Sequence, residues 1–260
     1  MGGNRTGEGL PAYCAVCDLG QKCYEGDPGC RVSRRSLQEE VTSRYLSPEV
    51  LEMSRQSAYV EHLGYRIWDR AYETVQFARR MGYKHLGIAF CVTVRAEAEM
   101  YHRYLESQGF RVTSVMCKTG SIPKEELLGL EDSAKVRPGG FEAMCNPVAQ
   151  AGVLDGAGVE LAVVMGLCVG HDTVFIQHCR APVTVLVAKD RAFDHKPIEA
   201  IRRRAAGDLP PEPPPRRTPE QIAAHVAERD GDAGTGTKGV DDIQVLGKDL
   251  EAPVSGEDAE

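Results

Sequence analysis

Seven consecutive uncharged residues, Leu161 to Leu167, are followed at once by Cys168-Val-Gly-His-Asp172. A short apolar run without alternation is the pattern of a strand covered on both faces. Such strands belong to parallel sheets with helices packed on either side. Gly166 and Gly170 bracket Cys168, and two glycines around one residue permit a sharp strand-to-helix turn that lifts the thiol off the sheet edge. The rest of the chain must supply parallel partners for this strand and helices to cover it.

Those partners are legible after Gly82. His85 to Phe90 is apolar and ends at Cys91; Phe110 to Met116 ends at Cys117; Val183 to Ala188 ends in Lys189-Asp190-Arg191. Between them, Val94 to Gln108, Phe141 to Leu154 and His171 to His178 read as helices, and Pro197 to Arg204 closes the series. Asn146-Pro147 interrupts or restarts the second of these, which leaves Cys145 in its early turns. Strands separated by helical patterns predict an α/β fold, a small doubly wound parallel sheet of about four strands. Three helical segments are predicted ahead of it. Leu37 to Leu46 is the first, and Ser47-Pro48-Glu49 opens the second, with serine as cap and proline at the first helical position. Arg66 to Met81 is the third, with Ile67, Ala71, Thr74, Val75 and Ala78 at helical spacing and Gly82 as its stop.

Charge divides the chain unevenly. Between Gly207 and Glu260 lie 13 acidic and 5 basic residues, a net of −8, so the overall −7 leaves Met1 to Ala206 at +1. A near-neutral folded part gives no reason to expect nucleic-acid binding. No apolar run is long enough to span a membrane, and the N-terminus lacks the apolar core of a secretory signal. The chain is expected to be cytoplasmic, where nine cysteines point to metal or redox chemistry rather than disulfides. The expected organisation is a disordered 1–12, a cysteine knuckle over 13–31, a helical segment over 36–82, an α/β domain over 83–206 and a disordered acidic tail over 207–260. A short helix from Pro219 to Arg229 is expected within that tail.

Two groups of cysteines carry the chemistry. Cys14, Cys17, Cys23 and Cys30 form a C-x2-C-x5-C-x6-C unit with few apolar residues of its own. An ion would hold it in shape in place of a core. Four thiolates suit tetrahedral zinc or an iron–sulfur cluster, and this spacing does not separate the two. In an open parallel sheet, ligands bind at the carboxyl ends of the strands where strand order reverses. Cys91, Cys117 and Cys168 all fall at that edge, and Cys145 can complete a set of four for an ion or cluster. Plain packing competes with this reading, because free cysteine behaves as a small buried hydrophobe; Cys179 is read that way.

Cys168 also stands in a nucleophile-elbow pattern with cysteine in place of serine. There a thiolate at a helix start would be reactive, with His171 or Asp172 assisting. Against it, a base only three residues along is unusual. Lys118, Arg137 and Lys189 on the same edge, with Gly139-Gly140 before an expected helix start, suggest a small anionic ligand. No protein partner is indicated, although a non-catalytic binding module with a structural zinc knuckle is a further alternative.

The pieces Gly87-Ile-Ala-Phe-Cys91, Cys117-Lys118 with Ser121-Ile-Pro-Lys124, Phe141-Glu-Ala-Met-Cys-Asn-Pro147, Gly166-Leu-Cys-Val-Gly-His-Asp172 and Ala181-Pro-Val-Thr-Val-Leu-Val-Ala-Lys-Asp-Arg191 stand in this order behind the cysteine knuckle. Taken together they make the chain resemble a family of uncharacterised prokaryotic proteins, described as a predicted metal-binding domain of unknown function. The resemblance spans about Cys14 to Pro197. It implies metal binding and supplies no reaction.

Overall fold

A computed structural model describes residues 14–16, 35–211, 220, 221 and 224. Cys17, Cys23 and Cys30 of the expected knuckle, and most of the expected acidic tail, lie outside the described residues. Four strands form one all-parallel sheet: β1 (His85–Phe90), β2 (Arg111–Met116), β3 (Leu161–Met165) and β4 (Val183–Val187), in the order β2-β1-β3-β4. The helices are α1 (Arg35–Tyr45), α2 (Pro48–Gly64), α3 (Arg70–Arg80), α4 (Arg95–Ser107), α5 (Lys124–Leu128), α6 (Pro147–Ala157), α7 (His171–His178) and α8 (Pro197–Ala205).

The chain steps from β1 outward to β2, then returns across β1 to β3 and on to β4. Parallel crossovers are right-handed, so reversing direction places α4 on one face of the sheet and α6 and α7 on the other. In agreement, α6 packs against α7. The core runs through the sheet: Leu86, Ile88, Leu105, Leu154, Val163 and Phe175 are completely buried, each stabilising the fold by roughly 1.5–3 kcal/mol. Gly87 lets α6 come close. A Cβ there would stand 3.0 Å from Leu154, tighter than packed carbon atoms tolerate. At the outer edge, β4 is partly capped by α3, where the Arg70 Nε donates to the Val185 carbonyl at 2.7 Å. A charged cap of this kind blunts an exposed strand edge.

Two expected helices are corrected. The third begins at Arg70 rather than Arg66, because Asp69 caps it by accepting from the Tyr72 N–H at 3.1 Å. Ile67, expected on its apolar stripe, is 81% exposed. The helix expected from Phe141 begins only at Pro147: Asn146 accepts from the Ala149 N–H at 3.0 Å, with proline at the first helical position. Residues 141–145 instead run beside Ile122–Lys124, with Met144 N–H bonding to the Ile122 carbonyl at 2.8 Å. Among the described residues no helix is long and apolar enough to cross a membrane.

Candidate functional site

The strand order reverses between β1 and β3, so the crevice at their carboxyl ends is where a parallel sheet offers a site. Cys91 directly follows β1 and Cys117 directly follows β2. The β1–β2 register ends on Phe90 opposite Met116, which makes Cys91 and Cys117 the next pair across two strands about 4.8 Å apart. The backbone fixes both ends: Cys117 N–H donates to the Phe90 carbonyl at 2.8 Å, and Cys91 N–H to the Met165 carbonyl at 3.1 Å. Gln150 of α6, completely buried, spans the same two strands from below. Its Nε2 donates to the carbonyls of Phe90 at 3.2 Å and Val115 at 2.8 Å.

Cys145 arrives from the other side. It is not in a helix, as expected, but in the loop just before the Asn146 cap. Asn146 N–H donates to the Cys117 carbonyl at 2.8 Å, which ties that loop to the end of β2. Three lysines brace the loop further. Lys118 Nζ donates to the Ala143 carbonyl at 2.6 Å, Lys124 pairs with Glu142, and the buried Lys135 pairs with Glu125 at 2.8 Å and Asp132 at 2.9 Å.

Three thiols therefore meet. Cys117 is the middle one, its thiol interacting with those of Cys145 and Cys91. Those neighbours raise the Cys117 thiol well above its ordinary range, with burial adding to them. The same interactions lower the flanking thiols: Cys91 to about 4 and Cys145 to about 5, against burial. A neutral S–H has one hydrogen to give, so it stabilises thiolate on one side at a time. Cys91 is helped by Thr93 and Lys189, and Cys145 by the charges of Lys118 and His171. Cys91 and Cys117 are 3% and 2% exposed, whereas Cys145 is only half-buried. Reagents in solution thus meet Cys145 first.

Cys168 lies on the outer rim, half-buried, and accepts from the Arg191 guanidinium at 3.2 Å. The Arg191 pKa is raised by its bond to Cys168 and by the fields of Cys168, Cys91 and Cys145, in opposition to burial; one guanidinium faces three of the four cysteines. The residues expected to assist Cys168 open α7 directly after it, with the His171 N–H donating to the Cys168 carbonyl at 2.9 Å. Asp172 is committed to its own turn, accepting from the N–H groups of Gly170 at 3.0 Å and Thr173 at 2.7 Å. His171 acts through its charge on Cys145. The anion site expected at Gly139-Gly140 is not formed as a helix start. Gly139 N–H is taken by Asp132, and Arg137 N–H by Glu142 at 3.0 Å. Cys179 is partly buried against Asp155, consistent with packing. Cys14 is exposed in a short helical turn, Cys14–Val16.

The sequence assigns no role to Thr93, Gln150 or Arg191. Their only signal was position: a hydroxyl two residues past a strand-end cysteine, an amide one turn into a helix, and the last residue of a strand-terminal Lys-Asp-Arg. Among the described residues no three or more His, Cys, Asp or Glu side chains form a group that could hold a metal ion.

Fold and site together define a small parallel α/β protein with a thiol chain at its switch point. Residues 30–186 match the family described as "Protein of unknown function (DUF1847)", and the chain belongs to that family. It is also similar to "Uncharacterized protein MJ0455" of Methanocaldococcus jannaschii, at 35% identity over 188 residues that make up 72% of this chain and 92% of the relative. The family match contains all four rim cysteines and only Cys30 of the N-terminal four.

Proposed function

We propose that the protein is a thiol-based redox or sulfur-handling protein whose reaction centre is Cys91, Cys117 and Cys145. The observation that carries this reading is the placement of Cys91 and Cys117 directly after adjacent strand ends, with the loop of Cys145 tied to Cys117 by the Asn146 N–H at 2.8 Å. A thiolate is the nucleophile in disulfide chemistry, and a neighbouring thiol is what resolves the mixed disulfide. Cys145, the more accessible thiolate, attacks one sulfur of an incoming disulfide and expels the first thiolate. Cys117 then attacks the Cys145 sulfur and forms the Cys117–Cys145 disulfide. The second thiolate leaves with the Cys117 proton. Two electrons pass to the incoming disulfide, which ends as one thiolate and one thiol. Cys91 thiolate can exchange with Cys117 in turn, giving Cys91–Cys117 and releasing Cys145 with no net oxidation.

Lys118, Lys189, Arg191 and His171 surround the centre with positive charge, which favours a small anionic substrate. In a reducing compartment such as the cytoplasm, the thiol form is the resting one. Zinc or an iron–sulfur cluster is proposed only for Cys14, Cys17, Cys23 and Cys30, on their spacing and thiolate chemistry.

Equilibration of the whole protein with a glutathione redox couple, followed by peptide mapping of disulfides, tests this reading. A two-electron oxidation that includes Cys117 is expected. Oxidation that leaves Cys117 free would sink it. Metal and sulfide analysis of anaerobically purified protein tests the N-terminal site, and metal that survives Cys14→Ser together with Cys17→Ser argues against it.

A further inference from the structure

Beside Cys91 stands a polar contact that the disulfide steps above do not use. Lys189, two residues past β4, donates its ammonium to the Thr93 hydroxyl from 96 residues away in sequence. Thr93, in the turn between β1 and α4, lies with its Oγ1 3.4 Å from the Cys91 sulfur. An ammonium group can only donate, so the Thr93 oxygen must accept from it. The hydroxyl hydrogen is then directed at Cys91, whose sulfur becomes the acceptor. Val92 N–H donates meanwhile to the Cys117 sulfur at 3.4 Å. The two adjacent cysteines therefore meet different surroundings: a charge-backed hydroxyl at Cys91 and a neutral amide at Cys117. Gly166 keeps the path open, since a Cβ there would stand 3.4 Å from Lys189 Cε and 3.2 Å from Val94.

We propose that Thr93 is a positioning residue that relays the Lys189 charge to Cys91 and so holds Cys91 as the thiolate left out of the disulfide. This rests on the thiol-exchange reading above. Stabilising a thiolate disfavours its entry into a disulfide. With the relay in place, oxidised protein is held as Cys117–Cys145 with Cys91 free. Without it, exchange moves towards Cys91–Cys117 with Cys145 free. The relay thus decides which cysteine the oxidised protein presents: buried Cys91 or half-buried Cys145.

The test is the partition between the two disulfides, read by peptide mapping of whole protein equilibrated with a glutathione couple. Thr93→Val is expected to move the ratio of Cys91–Cys117 to Cys117–Cys145 upward by about tenfold, as for a lost hydrogen bond to a charged group. Thr93→Ser, which keeps the hydroxyl, restores the wild-type ratio. Lys189→Met moves it in the same direction. The double variant moves it no further than the larger single change, because both act on one chain of contacts. A ratio unchanged in Thr93→Val, or a Thr93→Ser ratio matching Thr93→Val, overturns the relay while leaving the exchange reading intact. Additive shifts from Thr93 and Lys189 overturn it as well. If Thr93→Val does not fold, Lys189→Met decides alone: an unshifted ratio there overturns the relay. Absence of any disulfide involving Cys117 in the wild type instead marks failure of the exchange reading.

Discussion

The two ends of the sheet solve the placement of charge in opposite ways. At the amino end, Glu160, His85 and Arg111 are matched by partners that finish them. Glu160 accepts from the N–H groups of Lys84 at 2.6 Å and His85 at 2.9 Å. Arg111 donates to His85 Nδ1 at 2.6 Å, and the other ring nitrogen meets Thr113 at 2.9 Å. At the carboxyl end, Lys189 and Arg191 point at a hydroxyl and a sulfur rather than a carboxylate. The nearby acids, Asp172 and Asp190, are spent on their own turns. A network closed on itself adds stability, whereas cations facing reactive sulfur leave valence for a substrate. On the proposed reading, that contrast puts structure at one end and chemistry at the other.

The largest expected effect comes from removing the middle of the thiol chain. Cys117→Ser should slow intramolecular disulfide formation by about 100-fold or more, since no adjacent thiol resolves the mixed disulfide; quenched mass spectrometry follows it. A persistent fast oxidation would break the contrast at the carboxyl end. Next, alkylation of Cys145 should fall to half its plateau rate near pH 5, against the ordinary 9.0 for a thiol. Mass-resolved labelling across pH measures this, and a midpoint near 9 would remove the thiolate from the argument.

Smaller changes test the amino end. Glu160→Ala strips the acceptor from two strand-end N–H groups and should cost about 1–3 kcal/mol in denaturant unfolding, with the Cys145 profile unaltered. Burial, then the Arg111 charge, hold the His85 imidazole below its ordinary 6.5. The unfolded chain therefore takes up a proton that the folded chain resists. The His85 contribution is fully present above pH 6.5 and declines as pH falls below it; melts at several pH values, compared with His85→Gln, isolate that slope. The smallest effect is expected at the outer rim, where Cys168→Ser should change the oxidation rate of the inner three by less than about threefold, because no exchange step passes through it. A larger loss would draw Cys168 into the reaction.

Much of this arrangement was legible from local pattern. Leu161 to Leu167 announces a doubly covered strand, and β1 occupies the residues its apolar run marks. Cysteines directly after strands follow the sheet to one rim because parallel strands share a direction. What escaped was of two kinds. Cys145 was assigned to a helix because Phe141 to Leu154 has acceptable helical spacing. Of the two readings of the Asn146-Pro147 pair, interruption or restart, the structure takes a fresh helix start, set by a side-chain cap. The contact between Lys189 and Thr93 escaped for a different reason. It joins the ends of strands separated by β3, so the strand order had to be known before either residue could be placed near Cys91.

Gln150 has a consequence for how oxidation could be felt elsewhere in the molecule. One amide nitrogen stitches the carbonyls of Phe90 and Val115 together next to the cysteines, so β1 and β2 are joined there by a side chain as well as by their own ladder. On the proposed exchange reading, a partner that distinguishes oxidised from reduced protein would read electrostatic potential and exposed sulfur at the rim.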